Sequence, residues 1–332
     1  MTATDTIQGY FDSLKQKGAL NRLIRVLAIV QTGWPLASLS AQTNRLDILL
    51  VGRVMVLVVT LPLVAQAAAA QSPLFDSHVH LWNGDESLQA YEEQLKEGRL
   101  EVTGIGAMWF GGPNHALAGS PTQIRAGNDG IMALAAKHPK IMPIATVHPY
   151  DGPVAVAELE RVAAKGIKIL KLHPHTQKFD PDDPRVLTLV RRAGDLGVIA
   201  LIDNANILPG DSEKLFNLAL KAPKTKFIFT HLGAMNFRFW NMLKAARTAQ
   251  GLFGDNIYFD IAAIVVLVAD SPIEDEFVWT MRNVGIDRVL LGSDYPQYSL
   301  EQNVSALGRL ALDESEKAKI RYQNARGLFG LR

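Results

Sequence analysis

The stretch Leu74-Phe75-Asp76-Ser77-His78-Val79-His80 begins a region in which short apolar runs alternate with amphipathic segments. Seven further strand-like runs follow, separated by Gly and Pro, at Val102–Trp109, Ile141–Val147, Ile167–Leu172, Val198–Ile202, Phe227–Thr230, Ile257–Ile261 and Arg288–Gly292. Helical patterns lie between them, for example at Val154–Lys165, Arg185–Leu196, Ser212–Lys221, Phe237–Ala249 and Glu274–Val284, and Glu314–Leu331 is a last helical segment. Eight strands alternating with helices in about 260 residues predict an α/β fold, a (β/α)8 TIM barrel over residues 72–332. A doubly wound open sheet is the alternative.

Composition narrows the classes of function. Of the 332 residues, 48% are hydrophobic and 20% are charged, and the formal net charge is +1. These values exclude a disordered chain and a strongly basic nucleic-acid binder, so a small-molecule substrate is the expected partner. The sequence carries no indication of an oligomeric state. Cysteine is absent, so any metal must be held by His, Asp or Glu.

Residues 1–71 form an N-terminal extension of different composition. Arg45 and Arg53 precede the apolar run Val54–Val64, and small alanines follow it. This order is typical of a secretory signal peptide at about residues 45–71, and it predicts an exported, periplasmic protein. A spanning helix needs about 20 apolar residues, so no stable membrane span is expected after processing. If the segment 46–64 is not cleaved, it would anchor the protein to the membrane.

Titratable side chains cluster at the ends of the predicted strands, where a barrel carries its active site. His78 and His80 are one residue apart on the first strand, so both point to the same face and can chelate one divalent cation. Asp294 follows the eighth strand, which neighbours the first in a closed barrel. Asp294 can therefore bind the same metal and accept a proton from its water.

Other strand ends and one loop supply candidate substrate contacts. Lys171 and His173 alternate at the end of the fourth strand, and both are expected to face the cavity. Lys171, His173 and Arg125 could hold a substrate carboxylate. Trp109 and the long irregular stretch from residue 111 to 128 would shape the pocket.

Five motifs occur in a fixed order between residues 74 and 331. They are Phe-Asp-Ser-His-Val-His, Gly-Ile-Lys-Ile-Leu-Lys-Leu-His-Pro, Thr-His-Leu-Gly-Ala, Leu-Leu-Gly-Ser-Asp-Tyr-Pro and Asn-Ala-Arg. Together they resemble the amidohydrolase superfamily, in the branch of aminocarboxymuconate semialdehyde decarboxylase and pyrone-dicarboxylate lactonase. Members hydrolyse or decarboxylate small molecules, usually with one zinc ion. The resemblance implies that His78, His80 and Asp294 are metal ligands and that His231 orients water or polarises the substrate.

The chain departs from this family on the fifth strand. Asp203 stands where members usually have a histidine ligand. Asp203 could bind the metal through oxygen, form a hydrogen bond behind the ligands, or be a structural residue.

The leading hypothesis is a metal-dependent hydrolase of an ester, lactone or amide bond, with one divalent metal, zinc being the expected ion. In this hypothesis Asp294 accepts the proton of water, and His231 stabilises the oxyanion or protonates the leaving group. A non-oxidative decarboxylase on the same site and a metal-independent lactonase are alternatives. An exported, non-catalytic binding protein is the alternative of another class.

Overall fold

The computed structural model describes residues 73–331, and the N-terminal extension with its predicted signal peptide lies outside them. Eight parallel strands form one sheet in sequence order. They are β1 (Leu74–His80), β2 (Val102–Met108), β3 (Ile141–Thr146), β4 (Ile169–Leu172), β5 (Ile199–Ile202), β6 (Phe227–Phe229), β7 (Ile257–Asp260) and β8 (Val289–Leu290). The predicted TIM barrel is therefore confirmed, and the strand ends agree with the predicted ones to within two residues.

The barrel closes through hydrogen bonds between β1 and the chain that follows β8. The backbone N–H of Ser77 donates to the Leu291 carbonyl at 3.0 Å, and that of Asp294 donates to the His78 carbonyl at 2.9 Å. Val79 and Tyr295 form a parallel bridge one step further on. An open sheet has no such contacts between its first and last strands, so the doubly wound alternative is wrong.

Helices cover the outside of the barrel. They are α1 (Asp85–Glu97), α2 (Pro121–Lys137), α3 (Pro153–Ala164), α4 (Pro174–Gln177), α5 (Pro184–Asp195), α6 (Asp211–Lys221), α7 (Met242–Ala246), α8 (Ile264–Val268), α9 (Glu274–Val284), α10 (Leu300–Arg309), α11 (Glu314–Ala318) and α12 (Asn324–Phe329). Tight 3-10 turns occupy Pro149–Asp151, Thr230–Asn241 and Ile286–Arg288, and a π turn occupies Lys319–Gln323. None of the helices between residues 73 and 331 has the length and apolar character needed to span a bilayer.

Alternation along the strands produces two apolar layers. On β5, Ile199 and Leu201 point into the barrel, whereas Ala200 and Ile202 pack under the helices. Phe329 of α12 fills the end of the barrel at the amino termini of the strands, and its ring centroid lies 5.6 Å from that of Phe75. This apolar filling leaves the opposite end, at the carboxyl ends of the strands, for polar side chains.

Three sequence expectations need correction. The stretch expected to be irregular to residue 128 becomes helical at Pro121, because proline is favoured in the first turn of a helix. The helix expected over Phe237–Ala249 is a series of 3-10 turns to Asn241 followed by the short helix α7. The C-terminal helix is divided by the π turn between α11 and α12.

Candidate active site

Three side chains converge at the carboxyl ends of the strands, two from β1 and one from the chain that follows β8. Nε2 of His78 and Nε2 of His80 each lie 3.4 Å from Oδ1 of Asp294. All three side chains are buried, and one ligand atom from each lies within 4.8 Å of the others. This cluster is the only group of its kind found among residues 73–331.

The backbone around the cluster is specialised for close packing. A Cβ atom on Gly292 would lie 2.9 Å from Cβ of His78, so only glycine allows the chain after β8 to approach β1. A Cβ atom on Gly111 would lie 2.6 Å from Nδ1 of His80. Asp294 itself has a φ of 61°, a left-handed conformation that is uncommon outside glycine. The site is therefore built from close backbone approaches as well as from side chains.

The far side of each imidazole faces a hydrogen-bond acceptor. Nδ1 of His78 lies 3.0 Å from Oδ2 of Asp260, and Nδ1 of His80 contacts the carbonyl oxygen of Phe110. Each Nδ1 therefore carries a proton, and Nε2 is the nitrogen that faces Asp294. Burial, together with the charge of Lys171, lowers the pKa of His78 to about 4, so its ring is neutral at pH 7.

This donor set fits a divalent cation. Two imidazole nitrogens and a carboxylate oxygen lie within 4.8 Å of one another, close enough to share one cation. Neutral histidines whose other nitrogen donates to an oxygen are the usual ligands of zinc and related ions in proteins. His78, His80 and Asp294 are thus the residues that would hold the metal.

Asp76 braces the two chain segments that carry these ligands. Its Oδ1 accepts the backbone N–H of His78 at 3.2 Å and that of Ser293 at 2.8 Å, and Oδ2 accepts the Tyr91 hydroxyl at 3.0 Å. Burial raises the pKa of Asp76 to about 6 in spite of these hydrogen bonds. The sequence contains Asp76 inside the first motif, but its bracing role depends on contacts with β8 that the motif does not reveal.

His231 and Asp203 form a second, separate pair. Nε2 of His231 lies 3.3 Å from Oδ2 of Asp203, and Nδ1 donates to the Ala262 carbonyl at 2.8 Å. Burial alone would lower the pKa of His231, but the hydrogen bond to Asp203 and the nearby carboxylates raise it to about 9. With an acceptor at each nitrogen and a raised pKa, His231 is an imidazolium at neutral pH.

The two predicted residues of β4 and its end lie in the same cavity. Nζ of Lys171 lies 3.4 Å from Nε2 of His78. Burial lowers the pKa of this lysine, although the negative charges of three nearby aspartates act to raise it. Nδ1 of His173 accepts the Thr176 N–H at 3.4 Å, and burial lowers the pKa of His173 to about 4. Lys171 is therefore a buried amine beside His78, and His173 is a neutral imidazole that lines the same cavity.

The cavity has a volume of about 340 Å³ and opens at the carboxyl ends of the strands. Its ionisable lining consists of His78, His80, Lys171, His173, Asp203, His231 and Asp294. Seven of the predicted site residues are thus brought together.

The structure does not bring the other two predicted residues to this cavity. Arg125 lies on α2, pairs with Glu158 at 3.0 Å and lines a groove against α3 on the outside of the barrel. The indole N–H of Trp109 donates to Asn128 at 3.0 Å, and the ring packs against Gly127. Trp109 is buried between β2 and α2, whereas Arg125 lies on the outer surface between α2 and α3.

One important residue was missed by the sequence reasoning. Asp260 ends β7 and receives the backbone N–H of His231 at 2.9 Å in addition to contacting His78. Its position as the last residue of a strand is the same signal that identified the other candidates, so it could have been included on that rule.

Fold and site together define a class, the (β/α)8-barrel enzymes with a cation-binding group at the carboxyl ends of the strands. Within that class the chain belongs to the amidohydrolase family, whose family model matches residues 75–331. No curated protein matches the chain.

Solved structures with the same fold are distant in sequence. The chain is similar to 5-carboxyvanillate decarboxylase from Sphingomonas paucimobilis, with 15% identity, a TM-score of 0.58 and coverage of 79% of this chain and 100% of that one. It is also similar to a dihydroxybenzoic acid decarboxylase from Polaromonas sp. JS666 with bound manganese and the inhibitor 2-nitroresorcinol, with 16% identity, a TM-score of 0.55 and coverage of 78% and 97%. A third is a proposed 2-pyrone-4,6-dicarboxylic acid hydrolase from Pseudomonas putida, with 16% identity, a TM-score of 0.55 and coverage of 79% and 99%.

Proposed function

We propose that this enzyme is a divalent metal-dependent hydrolase that cleaves an ester, lactone or amide bond in a small molecule. The observation that carries the proposal is the convergence of two imidazole nitrogens on the carboxylate of Asp294, beside the imidazolium of His231. When bound, the cation would acidify water and polarise the substrate carbonyl. Zinc is the ion we propose, because imidazole and carboxylate ligands suit it.

Asp294 is placed to act as the base. Burial would raise its pKa, but the contact with His80 and the positive charge of His231 hold that pKa well below its usual range, so Asp294 is ionised. As the water oxygen bonds to the carbonyl carbon, Asp294 accepts the water proton.

His231 is placed to act as the acid. It lines the cavity, and its positive charge would stabilise the oxyanion that forms in the transition state. The proton that it can give is the one on Nε2, which Asp203 holds before the substrate binds. When the carbon–oxygen or carbon–nitrogen bond breaks, His231 protonates the leaving group. Asp203 has the role of holding His231 protonated and oriented, which is the hydrogen-bonding alternative rather than the ligand alternative.

A carboxylated substrate suits the remaining charges. The amine of Lys171 faces the same cavity and has no step of the hydrolysis assigned to it. It can pair with a substrate carboxylate, and the N–H of the neutral His173 can donate to it as well. This charge pattern supports a small acid as substrate.

The test combines metal analysis with a substrate panel. Elemental analysis of the purified protein should show about one divalent metal per chain, and ester, lactone and amide hydrolysis should stop with a chelator and return with zinc. Release of carbon dioxide from carboxylated substrates, without hydrolysis, would replace the proposal with a decarboxylase. Full activity after removal of the metal would replace it with a metal-independent lactonase, and ligand binding without any turnover would contradict it.

We also propose that the enzyme is exported. The apolar run Val54–Val64 and the small residues that follow it support a signal peptide at about residues 45–71. N-terminal sequencing of the protein from the periplasmic fraction should give a start near residue 72. A mature chain that begins before residue 60 would contradict cleavage at this site.

A further inference from the structure

We infer, on the basis of the proposed function, that the substrate carries an apolar group and that this group lies over Ile207 and Leu267 at the mouth of the cavity. The lining of the cavity is uneven. The ionisable side chains form the floor of the cavity. Above this floor, the wall formed by the loops after β5, β6 and β7 is lined only by apolar residues, namely Ala205, Ile207, Ala234, Ala263, Ile264 and Leu267. The wall beside β1 and β8 carries the polar and aromatic residues Trp82, Gln297 and Tyr298.

Large apolar side chains are exposed on this one wall. Ile207 is 62% exposed and Leu267 is 56% exposed, although both line the cavity. Leu208 and Met235, which adjoin lining residues on the same wall, are also exposed. Half of the eight large apolar side chains exposed among residues 73–331 thus lie on the loops of a single cavity wall, and such a concentration indicates a ligand-binding surface.

The fold does not need these side chains for its own packing. On α8, the short helix Ile264–Val268, the residues Ile264, Val265 and Val268 are buried and form the face that packs on the barrel. Leu267 points away from that face, so a polar residue would serve the fold equally well there. Ile207 lies in the irregular chain between β5 and α6, where it likewise contributes nothing to the buried core.

Charge is missing from this wall. No residue from 204 to 210, from 232 to 237 or from 261 to 269 is charged, so above Asp203 and His231 this wall offers a ligand no charged side chain. The reacting groups lie deeper, at the ends of β1, β6 and β8. A substrate that presents its carbonyl to Asp294 and His231 would therefore extend its apolar part outward between Ile207 and Leu267. The substrate class is an amphipathic acid derivative, polar at the reacting end and apolar at the other.

The first test measures binding without requiring turnover. Acetate, butanoate, hexanoate and octanoate are titrated into the zinc-loaded protein by calorimetry. The dissociation constant should fall by about fourfold for each added methylene until the wall is covered. Ile207→Ser and Leu267→Ser should each flatten this dependence. Leu252→Ser is the matched control, since Leu252 is 55% exposed but lies before β7, at the other end of the barrel.

Two results would overturn the inference: equal affinity for all four carboxylates, or unchanged chain-length dependence in both Ser variants. All substituted side chains are exposed, so melting curves should show that the variants fold. A parallel series of p-nitrophenyl esters separates this inference from the proposed hydrolysis. Chain-length-dependent binding with no ester turnover would contradict ester hydrolysis and support the inference, whereas turnover that is independent of chain length would support hydrolysis and contradict the inference.

Discussion

Asp260 and His78 are 182 positions apart in sequence, yet Oδ2 of the aspartate lies 3.0 Å from Nδ1 of the histidine. This contact fixes which nitrogen of the ring carries the proton and so directs the lone pair of Nε2 toward Asp294. Asp260 also accepts the backbone N–H of His231, so one carboxylate orients both the proposed metal ligand His78 and the proposed acid His231.

Loss of the Asp260 carboxylate should weaken metal binding. The Asn side chain can donate as well as accept a hydrogen bond, so it no longer fixes the proton on Nδ1 of His78. We therefore expect metal affinity to fall by about 10- to 100-fold in Asp260→Asn. Competition between the protein and a chelator for zinc measures this. Asp270→Asn is the control, because Asp270 is an exposed partner of Arg309 outside the cavity. An unaltered dissociation constant in Asp260→Asn would contradict the orienting role.

Asp294→Asn should remove catalysis while keeping the fold. The amide has nearly the same shape but cannot accept a proton at neutral pH, so turnover should fall by at least about 100-fold. Rates are measured at saturating zinc, and circular dichroism checks that the variant is folded. Activity near that of the unmodified enzyme would mean that another group accepts the proton.

Asp203→Asn should change the alkaline limb of the pH–rate profile. Asp203 and the neighbouring carboxylates raise the pKa of His231 to about 9, so the active imidazolium persists through neutral pH and is lost as the pH rises through that value. Without the Asp203 charge, the limb should move to lower pH, toward about 6.5, the usual value for histidine. A profile that does not move would contradict the pairing.

Metal binding by the same position supplies a separate prediction. Asp203 lies outside the three-residue cluster. Loss of a residue that only orients the ligands can weaken metal affinity by about 10-fold, so Asp203→Ala should raise the zinc dissociation constant by less than about 10-fold. Chelator competition on Asp203→Ala and Asp203→His measures it. A larger loss in the alanine variant that is restored by histidine would make Asp203 a ligand.

Arg125→Ala should leave the kinetic constants for any substrate unchanged within about twofold. The guanidinium of Arg125 pairs with Glu158 outside the barrel, and its side chain is 55% exposed. Because exposed ion pairs stabilise little, the free energy of unfolding should fall by less than about 1 kcal/mol. Steady-state kinetics and urea unfolding test both parts. A large rise in KM for carboxylated substrates would restore the predicted substrate contact.

The sequence allowed prediction of the strands because their signal is local. Runs such as Ile257–Ile261 are apolar, short and flanked by turn residues, and the fold then places their ends at one face. That reasoning found His78, His80, His231 and Asp294 without coordinates.

The remaining features depend on contacts that no local pattern encodes. The direction of Trp109 is set by its hydrogen bond to Asn128, and Arg125 is turned outward by the helix that begins at Pro121. The pairing of Asp203 with His231 follows from a left-handed backbone at residues 231–234, a conformation that sequence patterns do not predict for non-glycine residues. Side-chain direction, rather than strand placement, is what sequence reasoning could not supply.

Closure of the barrel by the chain after β8 has a consequence for assembly. His78 and His80 are synthesised early, whereas Asp294 and the Tyr295 bridge that completes the ring come more than 200 residues later. The complete ligand set therefore exists only when the first and last strands have met. A cation bound by these three side chains would connect the first and last strands. At a free metal concentration 100 times the dissociation constant, this binding would add about 2.7 kcal/mol to the stability of the closed barrel. Metal supply would then govern how long the enzyme survives as well as how fast it works.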